Sequence, residues 1–358
     1  MSRPFRVVDA GLRDGRRNIA LDQAMLESRQ AGRIGDSLRF IHFEPAALVG
    51  RHQDLGAEVD RTYCREHGIG VGRRITGGGA IYLDPGQLGW ALVFDRATFA
   101  RGALGDVARL ICEAAAAGLS RLGPEVRFRP RNDLEIDGRK VGGTGGFYDG
   151  DTLFYQGTVL VDVDTEAMFG ALRVPRAKIA KRSLDRAAQR VVTLRELMGD
   201  STPTIGEVEE ALLRGFGERL GMAFERQPLS EAEEALAARL HDEQIGREEF
   251  VAEIDGPLAG GDVRAGVHTG PGGSITAHVR LEGPNGARLG QVLITGDFFV
   301  APPRWVFDLE GHLRGIPVRE LDGAIHDFFA AHPPGALSAT ADDFRQALRR
   351  ALDAAATA

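Results

Sequence analysis

Between Val126 and Val163 the chain holds four runs of strand-forming residues, VRF, DLEI, KVGG and TLFYQGTVLVDV, separated only by short Gly- and Asp-rich turns. A parallel partner needs a crossover of about a dozen residues, so strands this closely spaced pair antiparallel. Further strands are expected in LRFIHF and AALVG near 38–50, then at 69–75, 80–83 and 88–94. Helical spacing marks NIALDQAMLESRQ from Asn18, a short run from Arg61 to His67 ended by Gly68, and longer runs near 106–122, 205–220 and 231–241. The expected fold class is α+β, with a large mixed and mainly antiparallel sheet flanked by helices.

With 358 residues the chain exceeds one typical core, and two domains are expected. A second β-rich unit begins near Phe250. It holds the clearest hairpin signal, SITAHVRLE, then Pro284-Asn285-Gly286, then ARLGQVLITG, where Asn-Gly supplies the positive φ angles of a tight turn. Thr340 with Asp343 three residues on reads as a capping box for a terminal helix with Phe344, Leu348, Ala351 and Leu352 on one stripe.

Composition excludes several classes. A net charge of −7 argues against broad nucleic-acid binding, and no run approaches the ~18 apolar residues of a membrane span. The start of the chain shows no secretory signal, so the expected compartment is the cytoplasm. Cys64 and Cys112 lack metal-ligand spacing and are expected to be reduced and buried.

Of the 44 basic residues only Lys140, Lys178 and Lys181 are lysine. Lysine is a compact point charge with freely rotating donors, unlike the fixed fork of arginine, so a site needing one adaptable ammonium is one reading, and an accident of an Arg-biased composition is the other. Thr76-Gly77-Gly78-Gly79 follows Arg73-Arg74. Its backbone N–H groups suit an anion cradle, although a glycine triplet also suits a plain loop between strands. No P-loop or dinucleotide fingerprint is present. Arg131-Asn132-Asp133 precedes Lys140 by one strand and the turn Asp137-Gly138, which would return the ammonium beside an amide and a carboxylate. The glycines that follow, Gly142, Gly143, Gly145 and Gly146, read as an uncluttered, mobile region. A surface hairpin with an incidental ion pair remains the plainer alternative.

Taken in order, NIALDQAML, VGRHQD at 49–54, RRITGGGAIYLDPG at 73–86, RNDLEIDGRKVGG at 131–143, FYQGTVLVDVD at 154–164 and RVVTLREL at 190–197 resemble the lipoate-protein ligase family of the biotin and lipoate ligase superfamily. GQVLITGDFF and LEGHLRGIPV are similar to that family's accessory domain. The resemblance implies a catalytic domain at 1–245 and an accessory domain at 246–358. It implies ATP-dependent activation of lipoate to lipoyl-AMP, with Mg²⁺, and transfer to a lysine of a lipoyl carrier. Candidate carriers are the lipoyl domain of a 2-oxoacid dehydrogenase E2, the glycine cleavage H protein, or a sulfur-oxidation lipoate-binding protein. The protein itself is expected to be a monomer.

On the same resemblance Lys140 is the catalytic lysine. Arg74, Ile75, Thr76, Gly77, Gly78, Gly79, Ala80, Ile81, Tyr82, Leu83, Asn132, Asp133, Gly142, Gln156, Gly157 and Thr158 bind the acyl chain or the adenylate. Asp133 also faces the metal, and Lys178 and Lys181 lie on a lid over the adenylate. Leu83 and Gln156 stand where many members have His, Gly142-Gly143 replaces a Ser-Gly-Ser-Ala-like run, and 182–189 fits poorly. Two other functions stay open: an octanoyltransferase of the same superfamily, which needs a reactive thiolate, and a non-catalytic lipoate or lipoyl-protein binder.

Overall fold

A computed structural model of the chain describes residues 4–99, 103–130, 132–173, 190–256, 258, 262–334 and 336–354. Two compact units are present. The first comprises Met1–Leu48, Val59–Arg73 and Ile81–Val251, and the second Val49–Glu58, Arg74–Ala80 and Ala252–Ala358.

Among the described residues the first unit is organised by eleven strands: β1 (Phe5–Arg13), β2 (Ser37–Phe43), β3 (Ala46–Val49), β4 (Gly70–Arg73), β5 (Ile81–Leu83), β6 (Gln87–Asp95), β7 (Arg127–Arg129), β8 (Asp133–Ile136), β9 (Arg139–Asp149), β10 (Thr152–Leu160) and β11 (Phe224–Arg226). Eight form one sheet in the order β11-β1-β2-β6-β10-β9-β8-β7, while β4-β3-β5 form a small second sheet. The expected antiparallel pairing holds from β2 to β7. Only the β1 side departs, since β1 runs parallel to both β2 and β11.

Alternation along the strands sends one set of side chains into a single core. Leu38, Phe40, Leu88, Trp90, Leu92, Leu134, Tyr155 and Val159 meet the apolar stripes of helices Leu104–Leu119 and Ile205–Leu220 there. The opposite set faces helix Gly15–Gln30. Its anchor is Arg39, fully buried on β2, whose Nη1 donates to Asp22 Oδ1 at 2.5 Å and to the Asn18 carbonyl at 3.0 Å. Asn18 Nδ2 in turn donates to the His42 carbonyl at 2.9 Å, so the helix start is tied to β2 at two points.

The second unit is built on the meander β12 (Val263–Gly270), β13 (Gly273–Glu282) and β14 (Arg288–Gly296), with a two-stranded pair β15 (Val300–Ala301) and β16 (Ala336–Leu337). Asn285 and Gly286 take φ of 57° and 65° at the β13–β14 turn, as an Asn-Gly pair dictates. Inward Ile275, Ala277 and Val279 pack with Trp305, Leu309, Phe328, Phe344 and Leu348 from helices Trp305–Leu313, Leu321–Ala331 and Ala341–Asp353. The Thr340–Asp343 capping box is formed at the head of the last helix. The last segment of this unit begins at Ala252, near the expected Phe250, and the first strand of the meander starts at Val263.

Candidate functional site

The hairpin β8–β9 turns on Asp137 and Gly138, whose φ values of 50° and 76° are those of a two-residue turn. Across it Asp133 pairs with Gly143, Leu134 with Gly142 and Glu135 with Lys140, with the register slipping between Leu134 and Glu135. The slip leaves Val141 as an extra residue on β9. Val141 drops into the core while Lys140 is turned outward, the re-aiming that a bulge produces.

Lys140 then reaches diagonally across the face. Its Nζ lies 2.8 Å from Asp133 Oδ1, and a β-carbon on Gly143 would sit only 2.8 Å from that nitrogen. Glycine at 143 is therefore what leaves the ammonium its place. Arg129 on β7 contacts the other Asp133 oxygen and reaches Glu135 Oε1 at 2.9 Å. Burial pushes the Asp133 carboxyl upward, but the charges and hydrogen bonds of Lys140 and Arg129 outweigh it and hold the group below its ordinary range.

The backbone of Lys140 is fastened as well as its side chain. Its N–H donates to the Arg190 carbonyl at 2.7 Å and its carbonyl accepts from Val192 N–H at 2.9 Å, a parallel bridge formed by the segment Arg190–Val192. This partner was missed in the sequence reading. The β-branched pair Val191-Val192 was the available signal, too short to be read as a strand.

Asn132 is held beside the hairpin. Its Nδ2 donates to the Thr144 carbonyl at 3.1 Å, and its own carbonyl accepts from Thr144 N–H at 2.7 Å. Beneath it, Thr144 Oγ1, Tyr155 OH and Cys112 Sγ form a buried triangle with separations of 2.8, 3.1 and 3.3 Å. Thr158 on β10 accepts from Gly143 N–H at 3.4 Å. Gly142 faces the core, where a β-carbon would come within 2.1 Å of the Thr158 carbonyl oxygen. Gly157 lies likewise against the Trp90 ring, and Gln156 pairs with Gly145 and Ala91 on the outward face. The expected mobile glycine run is in fact an eleven-residue strand, with glycine selected for close packing.

Arg74 to Ala80 belong to the second unit. The Arg74 guanidinium is fully buried and curls into its own loop, donating to Gly77 O at 3.0 Å, Gly79 O at 2.8 Å and Thr76 Oγ1 at 3.3 Å; burial lowers it to about 10. Gly78 takes φ 91°, and its N–H donates to Phe298 O at 3.2 Å. Ile75 and Thr76 are buried within the same unit. Ile81, Tyr82 and Leu83 form β5 in the first unit, opposite Leu48, Ala47 and Ala46. Lys178 and Lys181 lie outside the described residues.

The first unit thus gathers Lys140, Asp133, Asn132, Gly142, Gly143 and Thr158 on neighbouring strands. It offers a rotatable cation with an amide and hydroxyl close by, an arrangement suited to oxygen-rich anions. Both cysteines are poor nucleophiles here: Cys64 and Cys112 are buried, and burial pushes both thiols up, Cys64 to about 11.

This architecture is that of the lipoate ligases. The bipartite lipoate protein ligase of Thermoplasma acidophilum, described with its E2 lipoyl domain, aligns at TM-score 0.62 and 27% identity over 72% of this chain and all of its own. A lipoate-protein ligase A bound with ATP aligns at TM-score 0.62 and 26% identity, over 70% of this chain and all of its own. By sequence, lipoate-protein ligase A subunit 1 of T. acidophilum is 31% identical over 66% of this chain and 91% of its own length. An octanoyltransferase LipM of Kyrpidia tusciae is 28% identical over 66% and 94%. The profile of the lipoyl protein ligase A/B catalytic domain matches residues 14–217, and the chain belongs to that family. It is an enzyme of lipoyl-protein ligation or transfer.

Proposed function

We propose that this chain is an ATP-dependent lipoate-protein ligase of the cytoplasm, acting through lipoyl-AMP on a lysine of a lipoyl carrier. The observation that carries the reading is the Lys140 ammonium, seated over Gly143 beside Asp133, in a chain whose two thiols are buried and raised. An octanoyltransferase working through a cysteine thioester needs an accessible thiolate, and neither cysteine supplies one.

In the first half-reaction a lipoate carboxylate oxygen bonds to the α-phosphorus of ATP as the bond to the β-phosphate oxygen breaks, releasing pyrophosphate. Two anions must meet, so a donor aimed at the acyl oxygen and an α-phosphate oxygen stabilises the transition state more than the ground state. Lys140 fills that role, with Asp133 holding its ammonium across Gly143 until substrate oxygens replace the carboxylate. Asn132 and Thr158 flank it as neutral polar groups. In the second half-reaction the carrier amine attacks the acyl carbon and AMP departs.

On the resemblance, Arg74, Ile75 and Thr76 to Leu83 are assigned to acyl and adenylate binding, as are Gly142, Gln156 and Gly157. Lys178 and Lys181 are assigned to the lid. Mg²⁺ would meet Asp133 as its one carboxylate, with Asn132 alongside, a hard-oxygen set that suits an ion carried in by phosphates and neutralising their charge. The carrier is a lipoyl domain of the E2 type, the glycine cleavage H protein or a sulfur-oxidation lipoate-binding protein.

Lipoate-dependent exchange of labelled pyrophosphate into ATP tests the reading. Exchange by the wild type and its loss in Lys140→Gln are expected; a wild type that moves octanoyl groups between carriers without ATP overturns it.

A further inference from the structure

Away from the lysine hairpin, three side chains far apart in sequence converge within the first unit. Asp9 stands on β1 just before a bulge, His42 near the end of β2, and Glu209 on helix Ile205–Leu220. His42 Nε2 is 3.4 Å from Asp9 Oδ1 and 3.3 Å from Glu209 Oε1, and the three donor atoms lie within 4.8 Å of one another. Among the described residues this is the one such trio of His, Cys, Asp or Glu donors.

Both N···O separations exceed the roughly 2.7–2.9 Å of a charge-assisted hydrogen bond. They match instead the ~3.3 Å edge between two ligands of a tetrahedral ion with bonds of about 2.0–2.1 Å. The Glu209 side chain is only 9% exposed, yet a second carboxylate stands nearby. Two such groups held together in a partly dry place call for positive charge. His42 supplies part of it, since Glu209 chiefly raises the imidazole above its ordinary value, while Arg226 lies 3.8 Å from Glu209 Oε2 and makes its close contact, 2.7 Å, with Glu210. Glu209 Oε1 is left turned toward His42. Asp9 Oδ1 accepts the Gly11 N–H at 2.8 Å, which fixes the carboxylate's orientation in the way outer hydrogen bonds fix metal ligands. Exposures of 21% for His42 and 46% for Asp9 leave an entry path and room for water.

We propose that Asp9, His42 and Glu209 form a divalent-cation site of the zinc class, clipping β1, β2 and helix Ile205–Leu220 together. One imidazole nitrogen and two carboxylate oxygens are a donor set zinc accepts, with a fourth position left to water. The site stands apart from the ligation chemistry and does not depend on that reading.

The test is titration of Zn²⁺ into chelator-treated protein without ATP or lipoate, read by calorimetry and native mass spectrometry. One equivalent is expected for the wild type, with a rise in Tm on binding. His42→Gln and Glu209→Gln lose that equivalent and the Tm rise, while Lys140→Gln keeps both. Should Glu209→Gln fail to fold by circular dichroism, Asp9→Asn takes its place, because Asp9 is exposed and its loss spares the core. A wild type that binds no stoichiometric Zn²⁺ overturns the proposal, as does one equivalent retained by His42→Gln.

Discussion

Lys140 Nζ occupies the space that a β-carbon on residue 143 would need, the two lying 2.8 Å apart. Gly143→Ala therefore displaces the end of a flexible side chain, which is cheap, rather than the backbone. The expected result is a melting temperature close to that of the wild type with pyrophosphate exchange down about 10²-fold, the usual cost of an ångström of misplacement. Gly142→Ala is the contrast, because its β-carbon would lie 2.1 Å from a backbone carbonyl oxygen of β10. That variant is expected to lose about 1–3 kcal/mol of stability through overpacking. Normal exchange in Gly143→Ala would remove Lys140 from the chemistry.

Removing the ammonium itself has a larger expected effect. Lys140→Gln should lower the exchange rate by about 10²–10³-fold, the typical loss when one oxyanion donor is deleted, with no change in fold. The measurement is single-turnover adenylation followed by release of pyrophosphate.

Asp133 adds a pH signature. Burial favours its neutral form, but Lys140 and Arg129 win and keep the folded carboxyl below its ordinary value of 3.8. A depressed carboxyl stabilises the fold above the unfolded value, and that contribution is lost as pH falls through the lower folded value. Urea midpoints of the wild type should thus drop between pH 5 and pH 3 by more than those of Asp133→Asn. Parallel midpoints for the two proteins would contradict the ion pair.

Local signals carried far in this chain. Asp137-Gly138 and Asn285-Gly286 dictated their turns because few residues accept φ near 50–76°, and Thr340 with Asp343 capped its helix as expected. The antiparallel ladder was legible from turn length alone. What stayed hidden was non-local. The parallel pairing of β1 with β2 and β11 depends on residues 5–13, 37–43 and 224–226 meeting, and no local pattern encodes that. Gly142 and Gly143 read as freedom, whereas each is required by one neighbour across the sheet or along the strand. The trio Asp9, His42 and Glu209 spans 200 residues, so no spacing rule reveals it.

Two partly buried carboxyls contribute to the pH response of the second unit. Burial raises Glu310, which accepts the Ile294 N–H at 2.7 Å, to about 7. Burial, reinforced by Asp297 and Asp54, raises Glu58 to about 7 as well. A carboxyl raised in the fold contributes stability that is complete below its unfolded value near 4.5 and lost as pH climbs through 7. Glu310→Gln should accordingly raise Tm at pH 8 and leave it unchanged at pH 4.5, with a gain of up to about 3 kcal/mol. Equal Tm shifts at both pH values would mean that the side chain acts through packing alone.

The thiols offer a test between the two enzyme classes in this family. Cys64 is buried and pushed up to about 11, and Cys112 is fully buried, bonded to Thr144 and Tyr155. A thiol so raised is almost wholly protonated at pH 7 and attacks an acyl donor poorly. Cys112→Ser keeps a hydrogen-bonding atom in the triangle, and Cys64→Ala removes the other sulfur, so the double variant deletes both thiols while sparing the network. Lipoate-dependent exchange and carrier modification, weighed by mass spectrometry, should then persist, since no step of the proposed reaction routes through sulfur. A double variant that folds, keeps its melting temperature and yet transfers nothing would mean that an acyl thioester is formed after all, on a sulfur that must leave its buried place to react.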